Sequence, residues 1–139
     1  MYPPLAPDYL NAISTQLASV SAFFGGFAAT VFALFLTLGR SSRAASIAAQ
    51  ASAIAAICFI VAVMASTVLV AISHPHAPPP TARLSADPAR LIQTVSFLAG
   101  MVALMVSLGA GGWTHSRAMG WTTSVLGTLA VVAIAYLYA

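Results

Sequence analysis

Hydrophobic residues fill this chain in four long blocks, each bounded by isolated charges or by proline and glycine. No charged residue occurs between Asp8 and Arg40, between Arg43 and Arg83, between Arg90 and Arg117, or after Arg117. A helix needs about 20 mostly apolar residues to cross a hydrocarbon core, so each interval can hold one span. The pattern predicts spans over residues 12–38, 45–73, 91–111 and 118–138. The blocks are continuously apolar and do not alternate over short segments, which points to helices and not to the strands of a barrel. The expected fold is all-α: a single domain over residues 1–139, a polytopic bundle of four transmembrane helices.

The breaks between blocks carry turn chemistry. Gly39-Arg-Ser-Ser-Arg43 reads as a tight polar turn. His74-Pro-His-Ala-Pro-Pro-Pro80 cannot continue a helix, because proline lacks an amide hydrogen and clashes with the preceding turn. Asp87-Pro88 reads as a helix start, an Asp N-cap followed by Pro at the first helical position. The third connection, Gly111 to Arg117, is short and led by glycine. Tyr9, Trp113, Trp121, Tyr136 and Tyr138 fall near block ends, where a membrane interface concentrates aromatic residues. Arg40, Arg43 and Arg117 on one side outnumber Arg83 and Arg90 on the other, which puts both termini outside by the positive-inside rule. Met1–Asp8 lacks the basic start of a leader, and the run that follows is too long for a leader's core. The first span is expected to be retained.

Composition turns this pattern into a statement about solvent. The chain is 60% hydrophobic and 5% charged, with no Lys and no Glu, whereas a soluble domain is about 25% charged. Its surface must therefore face lipid, and the bilayer of a plasma or inner membrane is the expected surrounding. The net charge of +3 suggests nucleic acid only superficially. The arginines are scattered singly and form no patch.

Ionisable groups inside a bilayer are costly and mark function when present. None of the four predicted spans has an interior Asp, Glu, Lys, Arg or His. That argues against catalytic residues, carboxylate relays and the axial histidines of an embedded haem. No enzyme activity, cofactor or metal site is expected. His74 and His76 flank Pro75 while His115 lies on a different connection, and solvated loop histidines are the plainer reading. Met64, Met101 and Met105 suggest apolar gap-filling before copper ligation. Cys58 is the only cysteine, so an intrachain disulfide is impossible and a small packing role is expected.

The most informative pattern lies in the first helix. Thr15, Ser19, Ala22, Gly26, Thr30, Ala33 and Thr37 recur at steps of three and four, which gathers them on one helical face. All are small or carry a hydroxyl. Phe23, Phe24, Phe27, Val31 and Phe35 fall towards the opposite side. Small residues let helix backbones approach closely, so this face is expected either to pack tightly within the bundle or to line a narrow path. Gln16, Gln50 and Gln93 near span ends are candidates for hydrogen bonds between helices. Ala99, Gly100, Gly109, Gly120, Ser124, Gly127 and Thr128 supply small positions on the last two helices.

Two segments resemble a known family. Ser21-Ala-Phe-Phe-Gly-Gly-Phe-Ala28 is similar to the pore helix of the Orai calcium channels, and Ala62-Val-Met-Ala-Ser-Thr-Val-Leu69 is similar to that family's second helix. The resemblance implies a homo-oligomer whose first helices surround a pore, with Ser19, Phe23, Gly26, Phe27, Thr30 and Leu34 at matching positions. Phe23, Phe27 and Leu34 would form the constriction. Leu34 occupies the place of the family's acidic selectivity residue, and Ser19 one of its inner basic places. The orientation drawn from the arginines is also opposite to the family's. Calcium selectivity is therefore not implied.

Together these readings predict a non-enzymatic membrane protein acting as part of a homo-oligomer or as a subunit of a larger membrane complex. The partners expected are the bilayer and either itself or other membrane subunits. The alternative is a homo-oligomeric ion channel lined by the first helix.

Overall fold

The computed structural model describes residues 7–37, 42–74 and 85–138. They form four α-helices: α1 (Pro7–Thr37), α2 (Arg43–Ser73), α3 (Asp87–His115) and α4 (Arg117–Tyr138). All four are long and apolar enough to cross a membrane, so the chain is an all-α, four-helix transmembrane bundle. The first three exceed the predicted spans. At 1.5 Å per residue, 31 residues reach roughly 46 Å, beyond the ~30 Å hydrocarbon core. The excess length lets Asp8, Arg90 and His115, each within a turn of a helix end, lie outside that core.

The helices pack as a row: α1 on α2, α2 on α3, and α3 on α4, with no other comparable interface among the described residues. The second helix explains why. Ala45, Ala48, Ser52, Ala55, Phe59, Ala62, Ser66 and Leu69 are all buried and recur at alternating steps of three and four. This 3.5-residue repeat keeps a seam facing a neighbour over the whole length of a shallow, left-handed crossing. Nearly every member is small, so two flanking helices come close at once.

The largest residue on the stripe has neighbours shaped around it. Phe59 is fully buried. It stacks on Phe24 of α1 at 5.7 Å between ring centroids and meets Phe97 of α3 edge-on at 6.0 Å. Glycine clears its way on both sides. A Cβ on Gly100 would stand 3.1 Å from the Phe59 ring, and one on Gly25 would stand 3.2 Å from its Cβ.

Polar bonds fix the register of α2 against α3. Gln93 Nε2 donates to Ser66 Oγ at 2.6 Å, and Ser66 Oγ donates in turn to the Ala62 carbonyl at 2.8 Å. Towards the other end, Ser107 Oγ donates across to the Ala48 carbonyl at 2.9 Å. That same oxygen also accepts from Ser52 Oγ at 2.6 Å, so hydroxyls from both helices converge on one backbone carbonyl. Of the three glutamines expected to link helices, only Gln93 does so; Gln16 and Gln50 are exposed. Cys58 is half-buried beside the α2 stripe.

The helix ends differ in detail from expectation. The N-cap of α3 is Ala86, which has no side-chain cap bond, and Asp87 lies inside the first turn. The hydroxyl of Ser85 accepts from the Asp87 amide at 3.4 Å. Ser42 caps α2 by accepting from the Ala45 amide. The glycine-led third connection is helical down to His115, and Ser116 alone separates α3 from α4. Ser116 is extended, and its hydroxyl accepts from the Met119 amide, which starts the new helix. Gly112 and Gly120 let the two helices close at this joint: a Cβ on Gly112 would collide with Thr123, and one on Gly120 would stand 2.5 Å from the Trp113 ring. Trp113 Nε1 donates to Ser124 Oγ across the joint at 3.1 Å. The polar turn at 39–41 and the proline-rich stretch at 75–80 lie outside the described residues.

Candidate functional site

The two sides of α1 have opposite surroundings. Ser14, Ser21, Gly25 and Ala28 are buried against the bundle, with Phe24, Val31 and Phe35 half-buried beside them. Thr15, Ser19, Ala22, Gly26, Thr30, Ala33 and Thr37 are all exposed. At 3.6 residues per turn the two stripes lie roughly 150° apart round the helix. The expectation that the small face packs within the bundle is therefore corrected. Bulk fills the inside, where Phe24 meets Phe59 and Phe35 approaches Gly111. The small stripe points outward.

The outward stripe is open and locally satisfied. A Cβ on Gly26 would meet nothing within 4 Å. The hydroxyls of Thr15, Ser19 and Thr30 donate to carbonyls four residues back, and Thr37 donates to Leu34. Such back-bonding lets a hydroxyl face an apolar medium without a buried orphan. Larger side chains flank the stripe: Phe23 is 71% exposed, and Phe27 and Leu34 are exposed as well.

Elsewhere the exposed surface is built from large aliphatics. On α2 it carries Ile54, Ile57, Ile60 and Met64; on α4 it carries Val125, Leu126, Leu129 and Val132. Against this background the small stripe stands apart. A groove of about 380 Å³ runs along its edge, where Ala22, Gly25 and Gly26 face Ile60 and Met64 of α2. Ser21 lines the same groove, and its Oγ is buried with no hydrogen-bond partner. A second groove of about 580 Å³ opens between α1, α3 and α4, lined by Leu34, Phe35, Leu108, Met119 and His115 among others.

The histidines do not converge. His74 ends α2 and His115 ends α3, and these ends lie on opposite sides of the bundle. Among the described residues no three His, Cys, Asp or Glu side chains gather. Met64 is exposed on α2, whereas Met101 is half-buried against the core around Phe59. Sequence reasoning missed the α2 stripe, although its three-four spacing is written plainly in the alanines and serines. It also missed the Ser116 cap, whose signal was a serine directly ahead of an apolar run. No protein-family model, curated protein or solved structure matches this chain.

Proposed function

We propose that this protein works non-enzymatically within a membrane assembly, as a homo-oligomer or as a subunit of a larger complex, and that the outward face of α1 is its contact surface. One observation carries the reading: among the described residues, a long exposed stripe of small and hydroxyl residues runs along α1, while the exposed faces of the other helices carry mostly large aliphatics. Association in lipid gains little from hydrophobicity, because lipid tails are as apolar as leucine; close backbone packing supplies it instead. A stripe centred on Gly26 allows that approach, and the flanking Phe23 and Phe27 supply knobs beside it. The hydroxyls are already bonded within α1, so they add no cost in either setting.

The test is crosslinking in nanodiscs in a Cys58→Ser background. Thr30→Cys on the stripe should crosslink to a neighbouring chain, while Leu129→Cys on α4 should not. Equal yields at both positions, or none at Thr30, would turn the stripe back into a lipid-facing surface. The reading carries an orientation in a plasma or inner membrane, with both termini outside. Ser42→Cys should then label from the cytoplasmic side and Ser85→Cys from the other.

A second reading is a homo-oligomeric channel in which α1 surrounds the axis. Its support is the exposure of Phe23, Phe27 and Leu34 next to the hydroxyls, together with the resemblance to Orai pore helices. An apolar constriction at Leu34 would gate by dewetting. Leu34→Glu should then raise cation flux sharply in liposomes. An assembled variant that stays silent removes the channel and leaves the assembly.

A further inference from the structure

The end of the row that holds the N-termini of α1 and α3 and the C-terminus of α2 carries a cavity of about 290 Å³ between the three helices. Leu10, Ile13 and Leu17 of α1 and Leu69 of α2 give it an apolar wall. Ser14, Ser73, Arg90 and Thr94 give it a polar one. Gln93 also lines it, but its amide is engaged by Ser66.

Arg90 is the unusual member. It is half-buried, and its Nε is sealed from solvent with no hydrogen-bond acceptor. No carboxylate pairs with it among the described residues. A guanidinium is permanently charged and can only donate, and a buried donor left unbonded is unfavourable. No described residue supplies that acceptor, so the site is open to an anion from outside. Depth narrows the choice. Arg90 is the fourth residue of α3, and Leu69 lies four residues before the end of α2. Since α1 and α2 are longer than the hydrocarbon core is thick, a cavity built from residues near their ends suits the zone where phosphates meet the first methylenes of the acyl chains.

We propose that the cavity binds an anionic phospholipid, with its phosphate on Arg90 and the start of one acyl chain along Leu10, Ile13, Leu17 and Leu69. The planar fork of arginine suits two phosphate oxygens at once, and the hydroxyls of Ser14, Ser73 and Thr94 stand nearby as further donors. A soluble phosphate would satisfy Arg90 but leave the apolar wall unused. No carboxylate lines the cavity itself, so the ammonium of a zwitterionic lipid gains no partner inside it; Asp8 and Asp87 stand exposed in the first turns of α1 and α3. This site lies apart from the α1 stripe and does not depend on how the protein assembles.

The test is native mass spectrometry of the full chain in mild detergent, offered equal amounts of phosphatidylglycerol and phosphatidylcholine. Phosphatidylglycerol should be retained over phosphatidylcholine. Arg90→Gln should weaken that retention by roughly tenfold, the scale of losing charge-assisted hydrogen bonds, while Arg117→Gln at the opposite end should leave it unchanged. Leu17→Trp fills the apolar part with Arg90 intact and should also expel the lipid, which keeps the test decisive if Arg90→Gln does not fold. Equal retention of the two lipids overturns the proposal, as does equal loss in both arginine variants. Displacement of phosphatidylglycerol by millimolar inorganic phosphate would assign the site to a soluble anion and overturn it too. The same spectra record the number of chains, so a failure here is distinct from a failure of the assembly reading.

Discussion

Two stripes of small residues run along neighbouring helices of this protein, with similar spacing and opposite fates. On α2, Ala45 to Leu69 is buried along its whole length, while on α1, Thr15 to Thr37 is bare along its whole length. The difference is not polarity, since both stripes mix alanine with hydroxyls bonded to their own helix. It is the presence of a complement. The α2 stripe has Phe59 to anchor it, with Gly25 and Gly100 hollowed out on either side. The α1 stripe has no counterpart among the described residues. Small residues at helical spacing thus mark where another helix can come close, and a large residue received by the neighbours, as Phe59 is at Gly25 and Gly100, decides whether one has.

The comparison can be broken at its anchor first. Phe59→Ala removes a fully buried ring shared by two interfaces and should destabilise the fold by about 3–5 kcal/mol, read from reversible unfolding in mixed micelles. Next come the adjacent glycines. Gly25→Leu drives a side chain into Phe59 and should cost about 1–3 kcal/mol by overpacking. Gln93→Leu removes one interhelical hydrogen bond while Ser66 keeps its bond to Ala62, so a loss of only about 0.6 kcal/mol is expected, the mean for such bonds in membranes. The smallest effect belongs to Gly26→Leu. With open space beyond that position, the unfolding free energy should stay within about 0.5 kcal/mol, even as association through α1 is lost. A Gly26→Leu chain that unfolds as easily as Gly25→Leu would mean that the two stripes are not different in kind.

The number and approximate extent of the helices were legible because charge and proline are excluded from a hydrocarbon core, and the sequence shows where they are excluded. The direction of a face was not. In water, a polar stripe on a helix points out, so periodicity carries orientation with it. In lipid both sides are apolar, and Thr15 or Gly26 can face either without a large penalty. Size remains as the signal, and it is ambiguous: the larger Phe24 and Phe35 went inside, while Ala22 and Ala33 stayed outside. Gly25 and Gly26 make the point most sharply. They are adjacent and identical, and only the position of Phe59 tells which one the fold needs.

The cavity at Arg90 was hidden for a related reason. Arg90 reads as a charge bordering a span and counts only as one vote on orientation. Nothing local reveals that Ile13 and Leu69, distant in sequence, will wall it in, because that depends on the antiparallel order of three helices.

The row-like packing has a consequence for how the molecule is made. Every principal interface joins a helix to the one synthesised just before it, so contact order is low and no helix must wait for a distant partner. Assembly can proceed vectorially, as in a solenoid whose units lean only on their neighbours. The last helix is held to α3 through the Ser116 joint and the glycines beside it. A chain ending after Ser116 should therefore still form the α1–α2–α3 core, with Gln93 bonded to Ser66 and Phe59 enclosed, and that core should be available before α4 has left the ribosome.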